Sequence, residues 1–179
     1  NTQVAYGGIT EHNTEGDLRR AQQRGVQFCN ISPMRQDMPD WLNAQTIMPR
    51  PGTDVALMLG LAYVLETENL LDRQFLQTHC CGYEVFRDYL LGASDGQPKT
   101  PAWAAQIADV DVASIVDLAR RMVSKRTFVT AAWSLQRGDH GEQPYWMAVT
   151  LAAMLGQVGL AGGGFGFGYA AEGFIGSSH

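Results

Sequence analysis

This 179-residue sequence is poor in several features, and each shortage narrows what the protein can do. It has three cysteines, an odd number that cannot pair completely within the chain. Cys80 and Cys81 are adjacent, which suits neither a bridge to each other nor tetrahedral zinc, so thiols rather than disulfides are expected. Positive charge is also scarce. Lys and Arg number 13 against 18 Asp and Glu, a net charge of -5 that argues against a nucleic-acid surface. No apolar run approaches the roughly 20 residues of a membrane helix, so no membrane span is expected in this segment. The first residues lack the basic, apolar and small-residue order of a signal peptide. "GGGFGFG" (162–168) fits no G-x-G-x-x-G frame and follows a helical pattern rather than a strand, which disfavours a nicotinamide dehydrogenase. "HGE" (140–142) matches the H-x-E of zinc deaminases, but no P-C-x-x-C follows it. His12, His79 and His179 belong to no pattern.

What is present is a globular composition, 45% hydrophobic and 17% charged, enough for a substantial core. "QVAYGG" (3–8) reads as a strand running into two glycines, "DLRRAQQRG" (17–25) as a polar helix stopped by Gly25, and "VQFCNIS" (26–32) as a compact apolar strand. Strand, helix and strand in about 30 residues form a right-handed parallel crossover, with functional loops at the carboxyl ends of the strands. "AQTIMPRPGTD" (44–54) repeats the pattern: a strand, a Pro-Gly turn, and an N-cap at Thr53 or Asp54. The helix that follows, 54–68, is apolar on nearly every side and should be buried. Residues 70–122 read as a helical insert. "TFVTAAW" (127–133) reads as a buried strand, and "EQPYWMAVTLAAMLGQVG" (142–159) as an apolar helix with Pro144 in its first turn. The glycine-rich end is expected to be neither helix nor strand interior. The fold class is therefore α/β, a mostly parallel, dinucleotide-binding-like sheet of about four or five strands flanked by helices, with a helical insert.

Polar clusters fall just after the strands, where such sheets bind ligands. In "PRPGTD" (49–54) the residues could be ordinary turn and cap chemistry. Alternatively, the free N–H groups of the helix start and the Asp54 carboxylate could hold a polar ligand, the carboxylate accepting two parallel hydrogen bonds from a guanine. "ISP" (31–33) is a weaker signal of the same kind. "WSLQR" (133–137) places an aromatic wall, two neutral hydrogen-bonding groups and a fixed cation in one turn, a set suited to an anionic or strongly dipolar ligand. The competing reading is a capping loop in which Arg137 pairs with Asp139 or Glu142.

Taken in order, "NTQVAYGG", "VQFCNISP", "RPGTDVALMLGLAYVL", "GQPKTPAWAA" and "WSLQRGDHGEQPYWMAVTLAAMLGQVGLAGGGFGFGY" resemble an internal segment of the molybdopterin oxidoreductases of the dimethyl sulfoxide reductase family, in particular the trimethylamine N-oxide and biotin sulfoxide reductases. The resemblance spans essentially the whole chain and is most specific from Trp133 to Tyr169. It implies a bis(molybdopterin guanine dinucleotide) molybdenum cofactor and oxygen-atom transfer from a small S-oxide or N-oxide, the metal cycling between oxidation states. Residues 1–179 would then form one molybdopterin guanine dinucleotide-binding α/β domain of a larger enzyme, with its insert at about 70–122.

Carried over by position, Gly7 and Gly8 correspond to a cofactor-contacting turn. Ile31, Ser32 and Pro33 match the end of the second strand, where family members often have an acidic residue in place of Ser32. Gly52, Thr53 and Asp54 match the guanine-binding turn. Trp133, Ser134 and Arg137 match the loop reaching pterin and active site, with Trp133 and Arg137 lining the substrate funnel as the catalytic candidates; Gln136 and His140 are adjacent cofactor candidates. Ala161 stands where the family has proline.

By the family's layout no residue of this chain is a metal ligand; the molybdenum ligand should precede Asn1, and the domain completing the second dinucleotide site should follow His179. The isolated chain is therefore expected to be inactive, with the remaining domains of the full-length enzyme as its partners and an electron donor the sequence does not identify. A periplasmic location is expected for a respiratory oxide reductase, the cytoplasm being the alternative. The competing function is a stand-alone, non-catalytic nucleotide- or partner-binding module.

Overall fold

The computed structural model describes residues 14–167, so the strand expected at 3–8, with Gly7 and Gly8, lies outside the described residues. The chain divides into two compact units, one containing the described residues up to Met48 together with Phe167, the other Pro49–Gly166.

In the first unit, helix α1 (Thr14–Gln23) carries Glu15 and Asp17 in its first turn, where they complement the helix dipole. Gly25 ends the run at φ +83, a conformation that L side chains resist. Strands β1 (Cys29–Ile31) and β2 (Gln45–Ile47) then pair in parallel, with Asn30 opposite Thr46. Arg19 lies over the Trp41 ring at 4.1 Å, and the Gln22 amide donates to the Trp41 carbonyl at 2.7 Å, tying α1 to the connection between the strands.

The second unit is organised around α2 (Asp54–Thr67). Its sequence has no polar stripe, because it is covered on several sides. Leu57, Leu61, Ala62 and Leu65 are fully buried. Packed on it are α4 (Tyr83–Leu90), α5 (Pro101–Ala108), α6 (Val112–Ser124) and α7 (Gln143–Met154), and α3 (Arg73–His79) packs on α7. At Gly60 the crossing is so close that a Cβ would sit 2.6 Å from the Cβ of Ala104. Asp72, Thr100 and Asp111 cap their helices by accepting the N–H of Phe75, Trp103 and Ser114.

Two buried charges fix the helical region. Glu66 receives Tyr83 at 2.7 Å, Arg87 at 2.5 Å and Arg73 at 3.3 Å. Burial alone would raise its carboxyl, but the hydrogen bonds from Tyr83 and Arg87, helped by Arg73, outweigh that and hold it below the ordinary range. Lys99, only 1% exposed, reaches Asp95 at 2.6 Å, the carbonyls of Tyr89 and Gln97, and the face of the Tyr89 ring. It locks the turn-rich stretch between α4 and α5.

Strand β3 (Phe128–Ala131) pairs with β4 (Gly164–Phe167). Two expectations change here. The apolar β3 is half-exposed rather than buried, since among the described residues one strand pairs with it and α7 is its chief packing neighbour. The glycine-rich end does form a strand over 164–167: its glycines alternate with phenylalanines, and Gly164 and Gly166 are the buried positions. Gly164 has φ +84, and a Cβ there would crowd the Gln157 carbonyl oxygen and the Val158 Cα at 3.2 Å, so a side chain is strained where the strand passes the stretch after the preceding helix. Small sheets, flanking helices and a run of helices between 73 and 124 make the α/β architecture expected from the pattern, although the described strands form two separate two-stranded pairs rather than one sheet of four or five. No disulfide joins Cys29, Cys80 and Cys81.

Candidate functional site

In the first unit the parallel ladder places Ile31, Ser32 and Pro33 at the carboxyl end of β1, and the Ser32 N–H continues the ladder onto the Ile47 carbonyl at 3.1 Å. The alternation of the strand turns Asn30 and Ser32 inward and leaves Ile31 and Pro33 exposed. The Ser32 hydroxyl is already engaged: it donates to the Asp37 carboxylate and accepts the Met34 N–H at 3.1 Å. A ligand at this strand end would therefore meet Ile31, Pro33 and the Asp37 carboxylate before it met the hydroxyl. Sequence reasoning passed over Asp37, since a carboxylate five residues after a serine belongs to no signature. It also passed over Asn30, whose buried Nδ2 has no hydrogen-bond partner among the described residues. A polar atom left so is a donor awaiting an acceptor.

In the second unit Gly52, Thr53 and Asp54 form the turn into α2. The Arg50 N–H donates to the Ala108 carbonyl at 2.7 Å, and both the N–H and the hydroxyl of Thr53 return to the Arg50 carbonyl, at 3.2 and 2.6 Å. The Thr53 hydroxyl thus closes the turn and does not cap the helix, and among the described residues no other side chain bonds the N–H groups at the start of α2. Gly52 has φ +78 and open space where its side chain would be. A backbone-lined, uncapped helix start with a carboxylate at its first residue can take a polar planar group.

The third cluster is one turn of 3-10 helix, Trp133–Arg137, leaving β3. It gathers Trp133, Ser134, Gln136 and Arg137 within five residues, and His140 follows at φ +52. Trp133 is 43% exposed, more than a residue held in a core. Asp139 lies 3.9 Å from His140, and Glu142 accepts the Gln143 side-chain amide at 3.3 Å. The Glu142 backbone N–H and then that amide hold its carboxyl below the ordinary range. Among the described residues neither acid pairs with Arg137, so the capping-pair alternative is not what the loop does.

The turns at 52–54 and 133–137 lead into α2 and α7, which pack against each other. A cavity of about 250 Å³ opens elsewhere, at α3 and α4, where Arg73, Leu76, Cys80 and Tyr83 line it, and none of the described site residues lines it. Among the described residues no group of three or more His, Cys, Asp or Glu is gathered to hold a metal ion. No helix among them is long and apolar enough to cross a membrane.

Comparison with known proteins matches residues 10–173 to the molybdopterin oxidoreductase family model. The dimethyl sulfoxide/trimethylamine N-oxide reductase of Cereibacter sphaeroides is 46% identical over 161 residues, covering 90% of this chain and 20% of the relative. The biotin sulfoxide reductase of the same organism is 44% identical over 175 residues, 98% of this chain and 24% of the relative. Among solved structures, acetylene hydratase from Pelobacter acetylenicus superposes with a TM-score of 0.70 at 23% identity, over 80% of this chain and 19% of that one, a likeness of fold. The chain thus spans about a fifth to a quarter of the length of these relatives.

Proposed function

The chain belongs to the molybdopterin oxidoreductase family, and from that premise we propose that it binds part of a bis(molybdopterin guanine dinucleotide) molybdenum cofactor within an S-oxide or N-oxide reductase. The residues present suit such a group. The Asp54 carboxylate can accept the N1–H and amino group of a guanine, and the uncapped N–H groups of α2 add donors beside it. In the first unit the Asn30 amide, without a hydrogen-bond partner among the described residues, offers a buried donor in β1. When bound, the molybdenum centre would supply the two-electron chemistry of oxygen-atom transfer; the chain's own part is to bind, orient and polarise.

The observation that carries the reading is the Trp133–Arg137 turn. An exposed tryptophan and an exposed guanidinium, the latter with no ion pair among the described residues despite two acids within five positions, stand together on one short element. An oxide oxygen carries partial negative charge that a guanidinium complements, and the indole offers an apolar wall to the methyl or ring portion of the substrate. The names of the similar reductases support oxides as the substrate class. In a full-length enzyme, Arg137→Ala should lower kcat/KM for its best oxide about a hundred-fold. Unchanged kcat/KM for every sulfoxide and N-oxide tried would remove Arg137 from the mechanism. A respiratory enzyme of this kind would work in the periplasm, which cell fractionation tests.

A further inference from the structure

We infer that Tyr145 is the positioning residue of the Trp133–Arg137 turn, a role that rests on the proposed function for its catalytic consequence but not for its structural one. Tyr145 lies in the first turn of α7, and its phenol reaches back beneath the preceding loop. The hydroxyl oxygen is 2.8 Å from the Ala132 carbonyl and 2.9 Å from the Trp133 carbonyl, two acceptors that share its single proton. The same oxygen accepts the Gln136 N–H at 3.2 Å. One atom therefore holds the residue before the turn, its first residue and its fourth.

Ala132 has no side chain able to cap the turn, and at its two ends the backbone bonds run from the Leu135 N–H to the Ala132 carbonyl at 3.3 Å and from the Gly138 N–H to the Leu135 carbonyl at 3.2 Å, both toward the long end of the usual range. The loop 138–142 braces it from one side, because Gly141 lies against the Gln136 backbone with no room for a Cβ. Tyr145 links the turn to the first turn of a well-packed helix, in which Met147, Ala148 and Leu151 are buried. Removing the hydroxyl frees the turn to rotate relative to that helix, and Trp133 and Arg137 move with it. Tyr145 does not itself touch a ligand in this account; it acts through the turn.

Tyr145→Phe keeps the ring and removes only the hydroxyl. Hydrogen exchange of the chain should show the amides of 134–138 exchanging about ten-fold faster, with those of α2 and the middle of α7 unchanged. In a full-length enzyme the same substitution should lower kcat/KM about ten-fold, and that loss should disappear when Arg137 is already alanine, because the two act as one unit. Unchanged exchange at the Gln136 amide, a uniform rise across α2 and α7, or losses that multiply independently in the double variant would each overturn the assignment. If Arg137→Ala alone leaves kcat/KM unchanged, the functional reading falls, and the exchange at Gln136 still decides whether Tyr145 sets the turn.

Discussion

Gly141→Ala probes the site at its tightest point. A Cβ there would lie 2.5 Å from the Gln136 carbonyl oxygen, 2.6 Å from its carbon and 2.7 Å from the Gln136 Cα. All three are backbone atoms, so no flexible side chain can swing aside. Ordinary contact begins near 3.4 Å, so either the loop at 141 or the turn at 136 must yield by about 0.9 Å. Overpacking of this kind costs about 1–3 kcal/mol. The turn is taken as the partner that yields, since Gly141 lies two residues before the start of α7, where Pro144 is buried. A shift of roughly 1 Å in a positioning element costs about a hundred-fold in rate. Urea unfolding of the chain should show the stability loss, and kcat/KM of a full-length enzyme should fall ten- to a hundred-fold with little change in cofactor content. An unchanged unfolding midpoint together with unchanged kcat/KM would refute the claim that this contact sets the turn.

Acid stability should report Glu66. Its carboxyl titrates below its unfolded value, which is near 4.5, so its contribution is complete above that pH and is lost as pH falls through the folded value. Glu66→Gln should therefore destabilise the chain at neutral pH and flatten the acid limb below about pH 4.5; a limb of unchanged slope would argue against it. Gly60→Ala should destabilise despite alanine's helix advantage of about 1 kcal/mol, because its Cβ meets Ala104 at 2.6 Å. Ala104→Gly in the same chain should restore most of the loss, and absence of that rescue in thermal unfolding would place the clash elsewhere.

How much was legible depended on whether one segment or several decided the outcome. The burial of α2 was readable because "DVALMLGLAYVLETE" has no polar stripe to expose, and the turn before it because Pro51 and Gly52 leave few alternatives. The positions of β1 and β2 were readable from short apolar runs ending in Ser-Pro and Met-Pro, although each strand is shorter than its run. β4 was missed because glycine content was weighed as a breaker, whereas the alternation of Gly and Phe supplied the period of two that a crowded strand needs. The exposure of β3 was not readable, since an apolar strand shows only that it can be covered, not what covers it. At the site, Trp133 and Arg137 stood out by chemical type. Tyr145, Gly141, Asn30 and Asp37 did not, because their roles are distances to backbone or to each other that no local pattern encodes.

The central claim is that this chain holds part of a molybdenum pterin dinucleotide. It is tested most directly by measuring molybdenum and acid-released guanine nucleotide per chain in the native-length gene product, purified without denaturation from cells that load other molybdenum enzymes. The account predicts about one molybdenum and about two guanine nucleotides per chain, with nucleotide content reduced in Asp54→Ala. Neither molybdenum nor guanine nucleotide in the wild-type protein would contradict it and leave a family fold that serves as a non-catalytic binding module.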